Sequence, residues 1–303
     1  ASYDLLLGYT GIVSFAHTMF FGIGSYGVAI ALANLGEGWS AVLLGALAGV
    51  ALSLALALLI GLLSLRVKAI FFAMITLAVA SAFAILASQL SWLTGGEDGL
   101  TFTVPRFLQR GFRPFAGNLF GLEVTGRTIT YYLLFLASAG LFLLLLRVVN
   151  SPFGRVLLSI RENAFRAEAL GYRTVTYRVV ANCIAAAAAS LAGALLALWA
   201  AYSGPDTTLS FNVMIDVLLM VVIGGMGTLY GAVLGATVLI VAQNYLQDLM
   251  RVLSRAASGV PFIANLVQPD RWLLWLGVFF ILSVYFFPTG IVGRLRARAA
   301  RRK

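Results

Sequence analysis

Apolar residues run along this chain in long stretches without alternation, each closed by a short cluster of polar residues or glycines. The stretches cover about 5–34, 39–65, 69–93, 128–147, 179–203, 211–224, 229–247 and 271–291. Most approach the roughly 20 residues that a helix needs to cross a hydrocarbon layer, and none shows the alternation of a barrel strand. The pattern predicts an all-α integral membrane protein, a polytopic helical bundle of about eight spans. Two regions are broken by glycine. Gly8, Gly11, Gly22, Gly24 and Gly27 interrupt the first stretch, and GGMGT joins 211–224 to 229–247. The whole of 1–303 reads as one transmembrane domain, with a long connection at 94–127 that opens on TGGEDG and holds Pro105 and Pro114.

One stretch departs from the pattern. Residues 151–178, SPFGRVLLSIRENAFRAEALGYRTVTYR, carry five arginines and two glutamates. Ser151 is a candidate N-cap and Pro152 suits a first turn. From Arg155 onward Leu157, Ile160, Ala164 and Ala167 recur at helical spacing, with Arg161, Glu162, Arg166 and Glu168 off that stripe. Glu162 and Arg166, four apart, would add about 0.3–0.5 kcal/mol, and Gly171 is a natural helix stop. A short amphipathic helix between two spans has two readings: a helix resting on lipid headgroups, or a docking helix that takes force from a soluble partner.

Composition sharpens the class. Apolar residues make up 61% of the chain and charged residues 11%, against roughly 25% charged in soluble domains. The net charge of +10 does not point to nucleic acid, because it follows topology. With the spans alternating in direction, fourteen of the 21 basic residues fall on one side, at Arg66 and Lys68, along 147–178, and in the tail 292–303. That marks the cytoplasmic side, with the C-terminus there and 94–127 outside. The single cysteine, Cys183, allows no disulfide within the chain and reads as a small packing residue. The chain starts at ASYDLLLGYTG without a methionine, so further residues are expected upstream.

Candidate chemistry is sparse. No G-x-x-x-x-G-K-[ST] phosphate loop is present, and the two lysines, Lys68 and Lys303, follow no glycine-rich turn. No H-E-x-x-H pattern or acidic cluster suggests a metal, and no enzyme activity or bound cofactor is expected. Glycine in a membrane helix lets neighbours approach or lets the helix break beside a cavity. Gly231 and Gly235 suit close packing. Gly8 and Gly11, with Ser14 nearby, and Gly224, Gly225 and Gly227 suit either packing or a discontinuous helix lining a substrate path. Asp216, the acid inside an apolar run, and His17 are further path candidates, each with a plain alternative as a packed and satisfied polar residue.

Taken together, LLLGYTGIVSFAHTMFFGIGSYGVAIAL, KAIFFAMITLA, LTGGEDGL, SPFGRVLLSIRENAFRAEALGYR and VLLMVVIGGMGTLYGAVLGA resemble the permease subunits of ABC importers for branched-chain amino acids. The resemblance runs from about residue 5 to the final FFPTGIVG. It implies an inner-membrane subunit that pairs with a second related permease. Two ABC ATPase subunits carrying the ATP and magnesium would drive it, and an extracytoplasmic binding protein would deliver substrate. It also implies that Arg155, Ile160, Arg161, Glu162, Arg166, Glu168 and Gly171 belong to a coupling helix docked on an ATPase. The spacing from Ala167 to Gly171 fits the family's loop, whereas its Glu-Ala-Ala triplet is absent. Permeases for urea or short amides look similar, and an ion-coupled secondary transporter is the rival class.

Overall fold

Long runs of leucine and alanine keep every backbone N–H and C=O paired within the segment, which is what a bilayer demands, so helix dominates. The computed structural model describes residues 1–64, 69–109, 111–112, 125–256, 268, 271–286, 290 and 292–293. Arg66, Lys68, most of the connection after 109, and the basic tail from 294 lie outside the described residues.

The helices are α1 (Ser2–Thr10), α2 (His17–Leu35), α3 (Trp39–Ser64), α4 (Ala69–Gln89), α5 (Ser91–Thr94), α6 (Gly126–Val149), α7 (Pro152–Glu162), α8 (Ala164–Ala169) and α9 (Thr174–Ala200). They continue with α10 (Pro205–Thr208), α11 (Phe211–Gly224), α12 (Leu229–Ala256) and α13 (Trp272–Phe286). Among the described residues seven helical segments are long and apolar enough to cross a membrane, and α13, with 15 residues, is an eighth apolar segment. The expected boundaries move in two places. The fifth span begins at Thr174, not 179, so the end of the charged stretch is helical. The helix beginning at Leu229 continues to Ala256, past 247. There polar residues replace the apolar run, yet Leu246 and Met250 keep an inward stripe and Asp248 pairs with Arg251 at 3.2 Å.

The chain divides into two compact units, Ser2–Met214 and Ile215–Lys303, the latter grouped with Ala1. In the first, α2 is the axis. Its glycines are where the neighbouring backbones come in: a Cβ on Gly24 would meet the Ser190 carbonyl of α9, and one on Gly27 would sit 2.5 Å from the Gly45 carbonyl of α3. Gly193 of α9 lies in the same way against the Phe21 carbonyl. Such approaches let dispersion act between backbones where lipid supplies no hydrophobic drive. Around this contact pack Met19, Phe20, Ile23, Ala57, Ile60, Phe72, Ala186 and Ala189 at one level. Val28, Leu32, Phe102, Val104, Ala197 and Leu198 pack at the next. Asn182 of α9 donates to the Ala57 carbonyl of α3 at 2.9 Å. At the far end β1 (Leu100–Thr101) pairs antiparallel with β2 (Tyr202–Ser203), in the register Leu100 to Ser203, and Ser25 and Ser203 share a buried hydroxyl contact at 2.9 Å. Outward leucines on α3, α4 and α6, such as Leu47, Leu63 and Leu136, are exposed, as expected of lipid-facing helices.

Candidate functional site

The first glycine-broken region is a broken helix. α1 stops at Thr10, whose hydroxyl bonds back to the Leu6 carbonyl at 2.7 Å, and Gly11 then takes φ +71°, the left-handed conformation that ends helices cheaply. Residues 11–16 are non-helical, and α2 starts at His17. Non-helical backbone at membrane depth must be satisfied by protein. Here the Phe15 amide donates to Thr76 of α4 at 3.1 Å, and Ile12, Ser14 and Ala16 are buried. His17 is buried as well. Its Nε2 lies 2.9 Å from the Ser2 hydroxyl, and its ring rests 5.3 Å from that of Tyr3. Gly8, Gly11, Ser14 and His17 therefore gather at one break, while the other glycines of this stretch, Gly22, Gly24 and Gly27, serve packing.

The charged stretch sits beside that break. It is not one helix. Asn163, with extended backbone (φ −158°, ψ 97°), separates α7 from α8 and accepts from the Arg166 amide at 2.9 Å as the N-cap of α8. Glu162 and Arg166 thus do not share a continuous helix, and the pairing expected from their spacing is not set up by the backbone. Pro152 does open α7, but the Ser151 hydroxyl turns back to the Val148 carbonyl at 2.7 Å in place of capping forward. Gly171 stops α8 with φ +91°. Its amide bonds to the Glu168 carbonyl at 2.8 Å and that of Tyr172 to Ala167 at 3.1 Å, a Schellman closure.

The stripe Leu157, Ile160 and Ala167 faces inward, with Leu157 0% and Ile160 1% exposed. Ile160 therefore offers no surface to a partner. Glu168 accepts from the Thr174 hydroxyl at 2.5 Å, tying α8 to the start of α9. Arg161 reaches α1: its Nη1 donates to the Gly8 carbonyl, and its stem passes Gly11 so closely that a Cβ there would lie 3.2 Å from Cγ. Arg155, Glu162 and Arg166 are exposed. Sequence reasoning missed the two side chains that stand out most, Phe165 at 82% and Leu170 at 72% exposure. Their signal was present as large apolar residues off the stripe of a charged loop.

In the second unit Asp216 is paired. Gln243 of α12 donates to its Oδ1 at 3.1 Å, a partner that sequence reasoning did not single out. The GGMGT segment is a tight turn between α11 and α12, with φ +117° at Gly225 and +83° at Gly227, and Thr228 donating to the Gly225 carbonyl at 2.8 Å. Gly224, Gly231 and Gly235 interlock α11 with α12: a Cβ on Gly224 would meet the Gly231 carbonyl, and one on Gly235 the Met220 carbonyl. Among the described residues no group of three or more His, Cys, Asp or Glu side chains could hold a metal.

The described residues thus form helices long and apolar enough to cross a membrane, with one break and a charged, partly apolar loop fastened beside it. The chain belongs to the family described as branched-chain amino acid transport system / permease component, which matches residues 1–283. It is similar to the high-affinity branched-chain amino acid transport system permease protein LivM of Salmonella typhimurium, 28% identical over 283 residues that cover 89% of this chain and 65% of the relative. The LivM protein of Escherichia coli is 27% identical over the same shares. The probable branched-chain amino acid transport permease protein LivM of Methanocaldococcus jannaschii is 29% identical over 172 residues, 56% of this chain and 48% of that protein. The chain thus spans about two thirds of the length of the first two relatives. No solved structure matches it.

Proposed function

We propose that this chain is a permease subunit of an ATP-driven importer that moves branched-chain or related hydrophobic amino acids inward by alternating access. Its pathway is completed by a second, related permease. Two ATPase subunits bind and hydrolyse ATP with magnesium, and an extracytoplasmic binding protein delivers the substrate. The chain lies in the cytoplasmic membrane of a prokaryote with α7 and α8 facing the cytosol. The observation that carries the reading is the α7–α8 loop. Buried Leu157 and Ile160 fix it to the bundle, and it presents Phe165 and Leu170 at its surface within a rim of Arg155, Glu162, Arg166 and Arg173. Large apolar side chains so exposed outside a bilayer mark a protein interface, and the polar rim suits one that forms in water. Asp216 is held by Gln243, which weakens the case for it as an ion-coupling group, whereas His17 is held by Ser2 at Nε2 alone and its buried Nδ1 has no partner among the described residues.

The test is a pull-down of the tagged chain from native membranes in mild detergent. The wild type should bring down a phosphate-loop ATPase and a second permease, and Phe165→Asp should lose the ATPase while keeping the permease. A wild-type chain that purifies alone, and transports alone under an ion gradient, would overturn the reading.

A further inference from the structure

The sequence places Arg161 with the docking loop and Gly8 and Gly11 with the substrate path, yet the three residues form one contact. We propose that Arg161 is a positioning residue that latches the α7–α8 loop to the helix break, so that movement of the loop is delivered to α1 and the segment 11–16. The inference rests on the function proposed above for the direction of force, but the latch itself stands on geometry.

The last four carbonyls of a helix lack intrahelical partners. Just ahead of those in α1, the Leu6 carbonyl accepts in addition from the Thr10 hydroxyl and, at 3.4 Å, from the Ile12 amide. The Gly8 carbonyl is taken by the Arg161 guanidinium, a cation at the negative end of the helix. Gly11 is needed twice over. Its φ of +71° turns the chain out of α1, and its missing side chain leaves room for the Arg161 stem. On the loop side Arg161 directly follows Ile160, which is anchored in the core. Gly154 lies against the Val149 backbone, so α7 starts in close contact with the end of α6. A push on Phe165 or Leu170 therefore reaches α7 across the Asn163 elbow, and α7, which packs on α1, holds the break itself through the Arg161 guanidinium. Arg161 is an exposed residue, but its guanidinium end is engaged at the permease's own break, so the docking surface is assigned to Phe165 and Leu170 and the charged residues around them.

Two measurements on the chain purified with its partners test this. The first is amide exchange. Arg161→Gln should speed exchange over residues 9–16 about tenfold while the α2–α9 core is unchanged. Unchanged exchange at 9–16 overturns the latch, whatever drives transport. The second is uptake per ATP hydrolysed in proteoliposomes that contain both permeases, the ATPases and the binding protein. Arg161→Gln and Gly11→Ala should keep the ATPase bound and hydrolysing while uptake per ATP falls about tenfold, and Arg161→Lys, which can still donate to one carbonyl, should recover part of it. Loss of the ATPase from Arg161→Gln, as in Phe165→Asp, would make Arg161 a docking residue and overturn the proposal, as would an unaltered ratio. If the wild-type chain carries no ATPase at all, the functional reading fails, and the exchange result alone decides the latch.

Discussion

Gly24→Ala is the sharpest test of the packing around α2. The added methyl would fall on the Ser190 carbonyl oxygen, a backbone group in the middle of α9 that cannot turn aside. A carbon and a carbonyl oxygen settle at about 3.3–3.6 Å, so α2 would have to withdraw from α9 by roughly 1–2 Å. The other side of α2 is closed to that movement. A Cβ on Gly49 of α3 would lie 3.1 Å from the Gly24 Cα, and Gly27 and Gly45 are in mutual backbone contact one turn on. Overpacking by one methyl usually costs about 1–3 kcal/mol, and closure on both sides puts this site near the top of the range.

For a chain of this size that is a fall in Tm of about 5 °C, read as loss of the monodisperse peak on heating in detergent. Gly140→Ala is the control: it sits within α6 with nothing within 4 Å of its added Cβ. Relief of glycine's backbone entropy, about 0.5–1 kcal/mol, should leave its Tm level or raise it slightly. If Gly24→Ala melts with or above Gly140→Ala, the helices do not meet through their backbones, and the account of α2 as the axis of the first unit is refuted.

Two further outcomes follow from single sites. Gly171→Ala meets no atom within 4 Å, so its cost is the left-handed backbone alone, about 1–2 kcal/mol. The Schellman closure should loosen, tryptic cleavage after Arg173 should accelerate, and Gly171→Asn should lie between the two. Asp216→Leu leaves the Gln243 amide without its acceptor, at about 1–3 kcal/mol in melting stability. Asp216→Asn keeps an oxygen and costs less, and adding Gln243→Leu to Asp216→Leu should return most of the loss. A double variant no better than Asp216→Leu would deny the pair its role.

What the sequence made legible was periodicity and stops. Leu157, Ile160 and Ala167 announced the buried side of the loop, and Gly171 announced its end, because each acts within a turn or two of its own position. The elbow at Asn163 was missed even though asparagine is a preferred N-cap. Apolar spacing carried on across it, and the periodic signal outweighed the capping one. The pairings of Gln243 with Asp216, of Arg161 with Gly8 and of β1 with β2 join residues far apart in the chain, where spacing carries no information. The two strands have two residues each, too short for any alternation to register.

Glycine is the residue that most needed the structure, because it serves opposed ends here. Gly24, Gly27, Gly45, Gly49 and Gly193 remove side chains so that three helices interlock, and a helix held by backbone on two sides cannot bend without parting from both neighbours. Gly11 instead takes a conformation that ends a helix, and residues 11–16 lack the intrahelical ladder. Compliance in the first unit therefore belongs to 11–16, where turning a few dihedrals breaks no helical hydrogen bond, and not to α2, glycine-rich though it is. That division gives the Arg161 contact its mechanical meaning. A loop fastened to α2 would push against a helix held by backbone on two sides, whereas one fastened at Gly8 pushes on the end of α1, where the ladder stops at Gly11.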